Sequence, residues 1–180
     1  MQWLLSLAVL IGFLTGPDSP PDPRWAFYSD DRTSYSSPWF DGPHRVMIPF
    51  GCNDAPYYSP DPRCSGGRGF HHGIDIAMPC GTRLYAGRRA TVASATSLGS
   101  AYGTSPLLLR GEDWDLVIGH TRQLFVAPGD VVRRGLPIAL ASDNGAPDGC
   151  HLHFEKRPRG GGLSTALRPR PMLGLAAVVR

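Results

Sequence analysis

Four histidines and one aspartate carry most of the chemistry that this sequence offers: His71, Asp75, His120, His151 and His153. In the segment CHLHFE, His151 and His153 are separated by Leu152, and Glu155 follows Phe154. Side chains alternate along a strand, so His151, His153 and Glu155 would share one face while Leu152 and Phe154 enter the core. Two histidines at that spacing stand about 7 Å apart along the strand, given its rise of about 3.3 Å per residue. One can bind a metal while its neighbour reaches a water or substrate beside that metal. A solvated polar face is the bland alternative, and the apolar neighbours disfavour it.

The segment HHGIDIAMP contains His-x-x-x-Asp at His71 and Asp75. On a straight strand those two would lie about 13 Å apart, too far for one zinc with bonds of about 2 Å. The chain must therefore bend between them, and Gly73 is the residue that permits it. His72 then points elsewhere, as a structural or rim histidine. His71, Asp75 and His153 together make an N, O, N ligand set with a fourth position left for water, the pattern of a catalytic zinc site. Other divalent ions would also fit such a set. His120 closes the segment WDLVIGH and gains interest only beside the other four.

The elements that must position these residues are short. With 22 Gly and 18 Pro in 180 residues, the chain is rich in breakers, which disfavours a helical bundle. RVMIPF, GIDIAM, TRLYAG, ATVASAT, PLLLR, WDLVIGH, QLFVAP, PIALAS and CHLHFE read as strands separated by Gly, Pro, Asp or Asn. Their spacing predicts an all-β domain built on a single antiparallel sheet, open or closed into a barrel. Ordered structure is expected from near Val46.

Ahead of the domain, Trp3–Thr15 is an apolar run without charge. It is short for a membrane span and suits the core of a secretory signal, although no Lys or Arg precedes it. Residues 1–16 are therefore read as a signal peptide or a retained anchor. Residues 17–42, rich in Pro, Asp and Ser, are read as an extended linker whose aromatic residues pack on the domain. The domain itself is placed at 43–175 and a tail at 176–180. Export also suits four cysteines (Cys52, Cys64, Cys80 and Cys150) with no CxxC pair among them; two disulfides are expected, with three connectivities possible. A net charge of +3 is mild and, without interleaved basic and aromatic residues, implies no nucleic-acid partner.

HHGIDIAMPCGTRLYAG, IGH and APGDVVRRGLPIALASDNGAPDGCHLHFE, in that order, resemble the successive blocks of lysostaphin-type zinc metalloendopeptidases. The resemblance covers about Pro43 to Leu175. It implies that His71, Asp75 and His153 bind Zn2+, and that His120 and His151 act on the bound water and the oxyanion. It also implies an antiparallel β-sheet groove with the metal on its floor. The substrate it implies is peptidoglycan, cut at Gly–Gly bridges or D-alanyl cross-links by a monomeric, extracytoplasmic enzyme with no stable membrane association once a signal is cleaved. Two positions depart from the family pattern. Gly119 stands where members often have Tyr before the histidine matched by His120. Ser65 and a Gly-rich run stand where some place a Tyr ahead of the first ligand, with Tyr57 and Tyr58 as candidate substitutes. The direction of both departures is a weaker catalyst with the same fold.

If the two ligand segments meet at one metal, Cys80 and Cys150 become neighbours, which predicts Cys80–Cys150 and leaves Cys52–Cys64. Glu155 is expected either to support a ligand histidine or to be a surface carboxylate. Three other readings exist. A non-catalytic wall-binding or activating module of the same fold should lack ligands, yet all five residues are present. A lipoyl- or biotinyl-type carrier would share the APGDVVRRGLPIA hairpin, but its turn holds no lysine. A zinc D-alanyl-D-alanine carboxypeptidase uses two His and one Asp, at a wider His-to-Asp spacing.

Overall fold

In a computed structural model of the chain, residues 21–179 are described; the expected signal segment at 1–16 lies outside them. Fourteen strands follow one another: β1 (Ser34–Ser37), β2 (Phe40–Ile48), β3 (Gly51–Asn53), β4 (Gly69–His71), β5 (Ile74–Ala77), β6 (Arg83–Tyr85), β7 (Ala90–Ala93), β8 (Leu107–Arg110), β9 (Trp114–Gly119), β10 (Thr121–Arg122), β11 (Val131–Val132), β12 (Pro137–Ala141), β13 (His151–Pro158) and β14 (Ala176–Ala177). The one α-helix among the described residues is a single turn, α1 (Arg170–Leu173), closed by Gly174 in the left-handed conformation.

Twelve strands form one sheet in the order β10-β12-β6-β2-β5-β13-β9-β8-β7-β11, with β1 on β2 and β14 on β1, while β3 and β4 make a separate pair. The central pairings are antiparallel. The sheet must curl. Laid flat, ten strands would span roughly 43 Å at about 4.8 Å each. Yet β10 and β11, at the two ends of that order, are joined by residues 123–130, which reach about 30 Å at most. The all-β, single-sheet architecture is the one the sequence predicts.

The core lies against one face of the sheet, around Ile74, Ile76, Leu116, Ile118, Leu152 and Phe154. These residues alternate along β5, β9 and β13, and the residues between them point to the other face. Register then places the polar positions side by side: His153 pairs with Asp75 on one side and with Gly119 on the other.

Three segments differ from expectation. Part of the stretch read as a linker is built into the sheet, as β1 and the beginning of β2. Trp39, between them, is 1% exposed, meets Phe154 edge-on at 4.9 Å and donates its Nε1–H to Met172 O at 3.0 Å. Its aromatic residues do pack on the domain: Trp25 also rests on the cluster of Met47, Ile48, Ala55 and Ala77. At the other end, β14 falls within the stretch read as a tail and pairs with β1. QLFVAP forms no strand. Gln123 takes a left-handed φ of +48°, which breaks the extended path, and Leu124 and Phe125 are exposed.

Candidate metal centre

The chain turns sharply just after β4. His71 ends β4, which pairs with β3, and Ile74 opens β5 in the main sheet. The bend between them brings His71 Nε2 to 3.4 Å from Asp75 Oδ1, instead of the distance a straight strand would impose. Gly73 sits at the bend, but its φ is not in the left-handed region. What requires glycine is closeness: a Cβ there would lie 2.5 Å from His153 Cε1.

His71, Asp75 and His153 are all buried. His153 Nδ1 is 2.9 Å from Asp75 Oδ1 and 3.2 Å from His71 Nε2. Three ligands on a tetrahedral ion with bonds of about 2.0–2.1 Å stand about 3.3 Å apart, so the triangle has the size and donor chemistry that zinc needs. Each histidine also has an acceptor at its other nitrogen. His71 Nδ1 faces Pro49 O at 3.2 Å and His153 Nε2 faces Glu155 Oε2 at 3.5 Å, the arrangement that fixes the tautomer of a ligating imidazole. Burial raises the Asp75 carboxyl, but the three surrounding imidazoles outweigh it and hold it well below the usual range. Burial pushes His71 down to about 4.

His120 and His151 face each other with ring centroids 4.4 Å apart. His120 Nδ1 donates to Asn144 O and His151 Nδ1 to Gly149 O, both at 2.9 Å, so each presents Nε2 as the free nitrogen. Burial, with His151 and His153 nearby, takes His120 down to about 4. His120 also has a φ of +55°, a costly conformation for a residue with a Cβ and one that clusters at functional sites. Its backbone is held there by N–H donation to Tyr102 O at 2.9 Å and by Ser142 N–H donating to its carbonyl at 2.8 Å.

Glu155 lies on the same face of β13 and is fully buried, so it is no surface carboxylate. His72 is a rim residue, half-buried, with its Nε2 at 2.9 Å from Arg63 Nη2. The cysteines pair as Cys52–Cys64 and Cys80–Cys150, and the second bridge adjoins His151.

All five residues line one cleft of about 420 Å³. Three further residues there have no spacing signal that singles them out. Tyr58 stacks on His71 at 5.0 Å and its hydroxyl is 3.5 Å from Asp75 Oδ2. Asp148 is buried, with Oδ1 at 3.6 Å from His151 Nδ1, and its burial raises its pKa. Tyr102 meets His153 edge-on at 5.4 Å.

Known proteins are similar to this chain in sequence and in fold. The peptidoglycan DD-endopeptidase ShyA of Vibrio cholerae is 32% identical over 90 residues, 50% of this chain and 21% of that protein. The lipoprotein NlpD/LppB homolog of Pseudomonas aeruginosa is 36% identical over 88 residues, 49% of this chain and 29% of that protein. The match thus spans less than a third of either relative. Among solved structures, LytU superposes with a TM-score of 0.60 at 28% identity, covering 74% of this chain and 86% of that one. The catalytic domain of the antimicrobial peptidase lysostaphin from Staphylococcus simulans gives 0.59 at 24% identity, covering 73% and 92%, a likeness of fold. Residues 69–164 match the model of one family, more than half of the chain and the stretch that holds all five site residues, and on that match the protein belongs to Peptidase family M23.

Proposed function

We propose that this protein is a zinc-dependent endopeptidase that hydrolyses peptide bonds in bacterial peptidoglycan and works outside the cytoplasm. The observation that carries the reading is the triangle of His71 Nε2, Asp75 Oδ1 and His153 Nδ1, with sides of 2.9 to 3.4 Å, next to two histidines with free Nε2 atoms. Zinc bound there would supply a Lewis acid that acidifies a water and polarises a carbonyl. A zinc-containing peptidase from Vibrio cholerae, superposing at a TM-score of 0.50 and 25% identity, supports that choice of ion.

His71, Asp75 and His153 are the residues that would hold the ion. His120 and His151 then divide two roles between them: one accepts a proton at a bare Nε2, and the other, protonated on both nitrogens, donates from Nε2 to the oxyanion. His120 suits the acceptor role in one respect: with its pKa lowered to about 4 it is neutral at pH 7. The Tyr58 phenol, whose ionisation burial and Asp75 both oppose, keeps its proton and offers an O–H at the edge of the same centre. Peptidoglycan is supported by the ShyA relative. An extracytoplasmic site is supported by the lipoprotein homolog and by two disulfides, which persist in oxidising compartments.

The test is mass spectrometry of fragments released from purified cell walls, one set with glycine bridges and one with direct D-alanyl cross-links. Zinc-loaded protein is expected to release peptides with new amino termini from at least one set, and Asp75→Ala from neither. Zinc-loaded wild type that opens no bond in either would overturn the proposal.

A further inference from the structure

Behind His153 lies a closed ring of three polar side chains that the proposed chemistry does not use. Glu155 Oε1 accepts from Arg157 Nε at 2.5 Å, Glu155 Oε2 accepts from the Tyr102 hydroxyl at 2.8 Å, and Arg157 Nη2 donates to the Tyr102 oxygen at 2.8 Å. Glu155 and Arg157 continue the His153 face of β13. Tyr102 arrives from elsewhere, at the end of the 3-10 turn Ser100–Tyr102. Its ring meets that of His153 edge-on at 5.4 Å, with Gly119 alongside. A Cβ at Gly119 would stand 3.2 Å from His153 Cβ and 3.4 Å from Tyr102 Cδ1.

The His153 imidazole has a carboxylate at each nitrogen: Asp75 Oδ1 at 2.9 Å from Nδ1 and Glu155 Oε2 at 3.5 Å from Nε2. A neutral ring carries one proton. If Asp75 attracts it, Nδ1 is a donor and has no lone pair for a metal. If Glu155 attracts it, Nδ1 is free. The Glu155 contact is the longer of the two, so it competes only if its carboxylate is kept in place. The two bonds that keep it there come from Arg157 and Tyr102.

We infer that Tyr102 is a positioning residue for the metal centre. With Arg157 it fixes Glu155 so that Glu155 takes the Nε2–H of His153 and leaves Nδ1 facing the metal. The inference rests on the zinc reading above and extends it to a residue that acts through Glu155 and His153.

The experiment compares wild type, Tyr102→Phe and Arg157→Met, each as the whole chain. Zinc dissociation constants come from competition with a chromophoric chelator, and coordination from the visible spectrum of the cobalt-substituted protein. Tyr102→Phe keeps the ring and removes the hydroxyl; it is expected to weaken zinc binding about tenfold, the lower end of the loss seen when a partner behind a ligand is removed. It should also alter the cobalt spectrum. Arg157→Met removes the other donor to the Glu155 carboxylate and is expected to act in the same direction, so the inference stays testable if one variant misfolds. Wild-type affinity and an unchanged cobalt spectrum in the variants would overturn it, as would a lower melting temperature with unchanged affinity. Failure of wild type to bind one zinc would instead overturn the proposed function.

Discussion

At His153 the fit is close enough that single atoms decide it. A methyl group in place of the Gly73 hydrogen would lie 2.5 Å from Cε1 and 2.8 Å from Nε2 of that ring, well inside van der Waals contact. Gly73→Ala is therefore expected to displace a ligand without unfolding the sheet, lowering zinc affinity at least tenfold in a competition titration; unchanged affinity would contradict the fit. The same ring sets a pH dependence. Burial lowers the His153 pKa, but hydrogen bonds to Asp75 and Glu155 outweigh it and raise the metal-free value to about 9. Below that pH the ring must lose a proton before Nδ1 can take an ion. His71, held to about 4, is already neutral. Zinc affinity is thus predicted to rise about tenfold per unit from pH 7 and to level off near pH 9, followed by titration at several pH values. A flat profile over that range would contradict it. That His71, Asp75 and His153 stand together was legible in the sequence, because strand alternation and one obligatory bend leave few places for His and Asp to point. Tyr58, Tyr102 and Asp148 were not legible, because they come from irregular segments where spacing says nothing about direction. Only family resemblance brought Tyr58 forward, together with Tyr57.

Strands are recognised from sequence by alternation, and that signal fails where both faces are covered or where pairing is with distant segments. β1 and the start of β2 lie in a Pro-, Asp- and Ser-rich stretch with no period, yet Tyr35 pairs with His44 and with Ala177. What holds the stretch is Trp39 against Phe154, on the core side of β13. Gly87 accommodates it, since a Cβ there would lie 2.3 Å from Trp39 Cε2. Trp39→Ala is expected to cost about 3–5 kcal/mol, the range for truncating a buried aromatic residue. Denaturant unfolding measures it, and a loss below about 1 kcal/mol would mean that the segment is dispensable to the fold. The opposite error occurred at QLFVAP, where apolar residues suggested a strand. There Phe125 donates its N–H to Ile138 O at 2.9 Å, but Gln123 turns the backbone away. Composition alone does not report that turn.

Across the whole molecule, the curled sheet sets the main core on one side and the candidate metal centre on the other, with β5, β9 and β13 serving both. The Cys80–Cys150 bridge ties the end of the β5 segment to the start of β13 across 70 residues of sequence. Closing a loop of that length stabilises the folded chain by about 4 kcal/mol in the chain-entropy account. Cys80→Ser with Cys150→Ser, which leaves Cys52–Cys64 in place, is expected to lower the unfolding free energy by up to that amount, and a denaturation midpoint equal to that of wild type would contradict this. Fold and family were legible because the motif blocks follow one another along the chain and their strands join one sheet. The central claim is that this centre cleaves peptidoglycan peptides. Its most direct test is the release of new amino termini from purified peptidoglycan by zinc-loaded wild type and by His153→Ala at equal concentration. The account predicts sustained release by the wild type and none above background by the variant; equal release by both, or none by the zinc-loaded wild type, would contradict it.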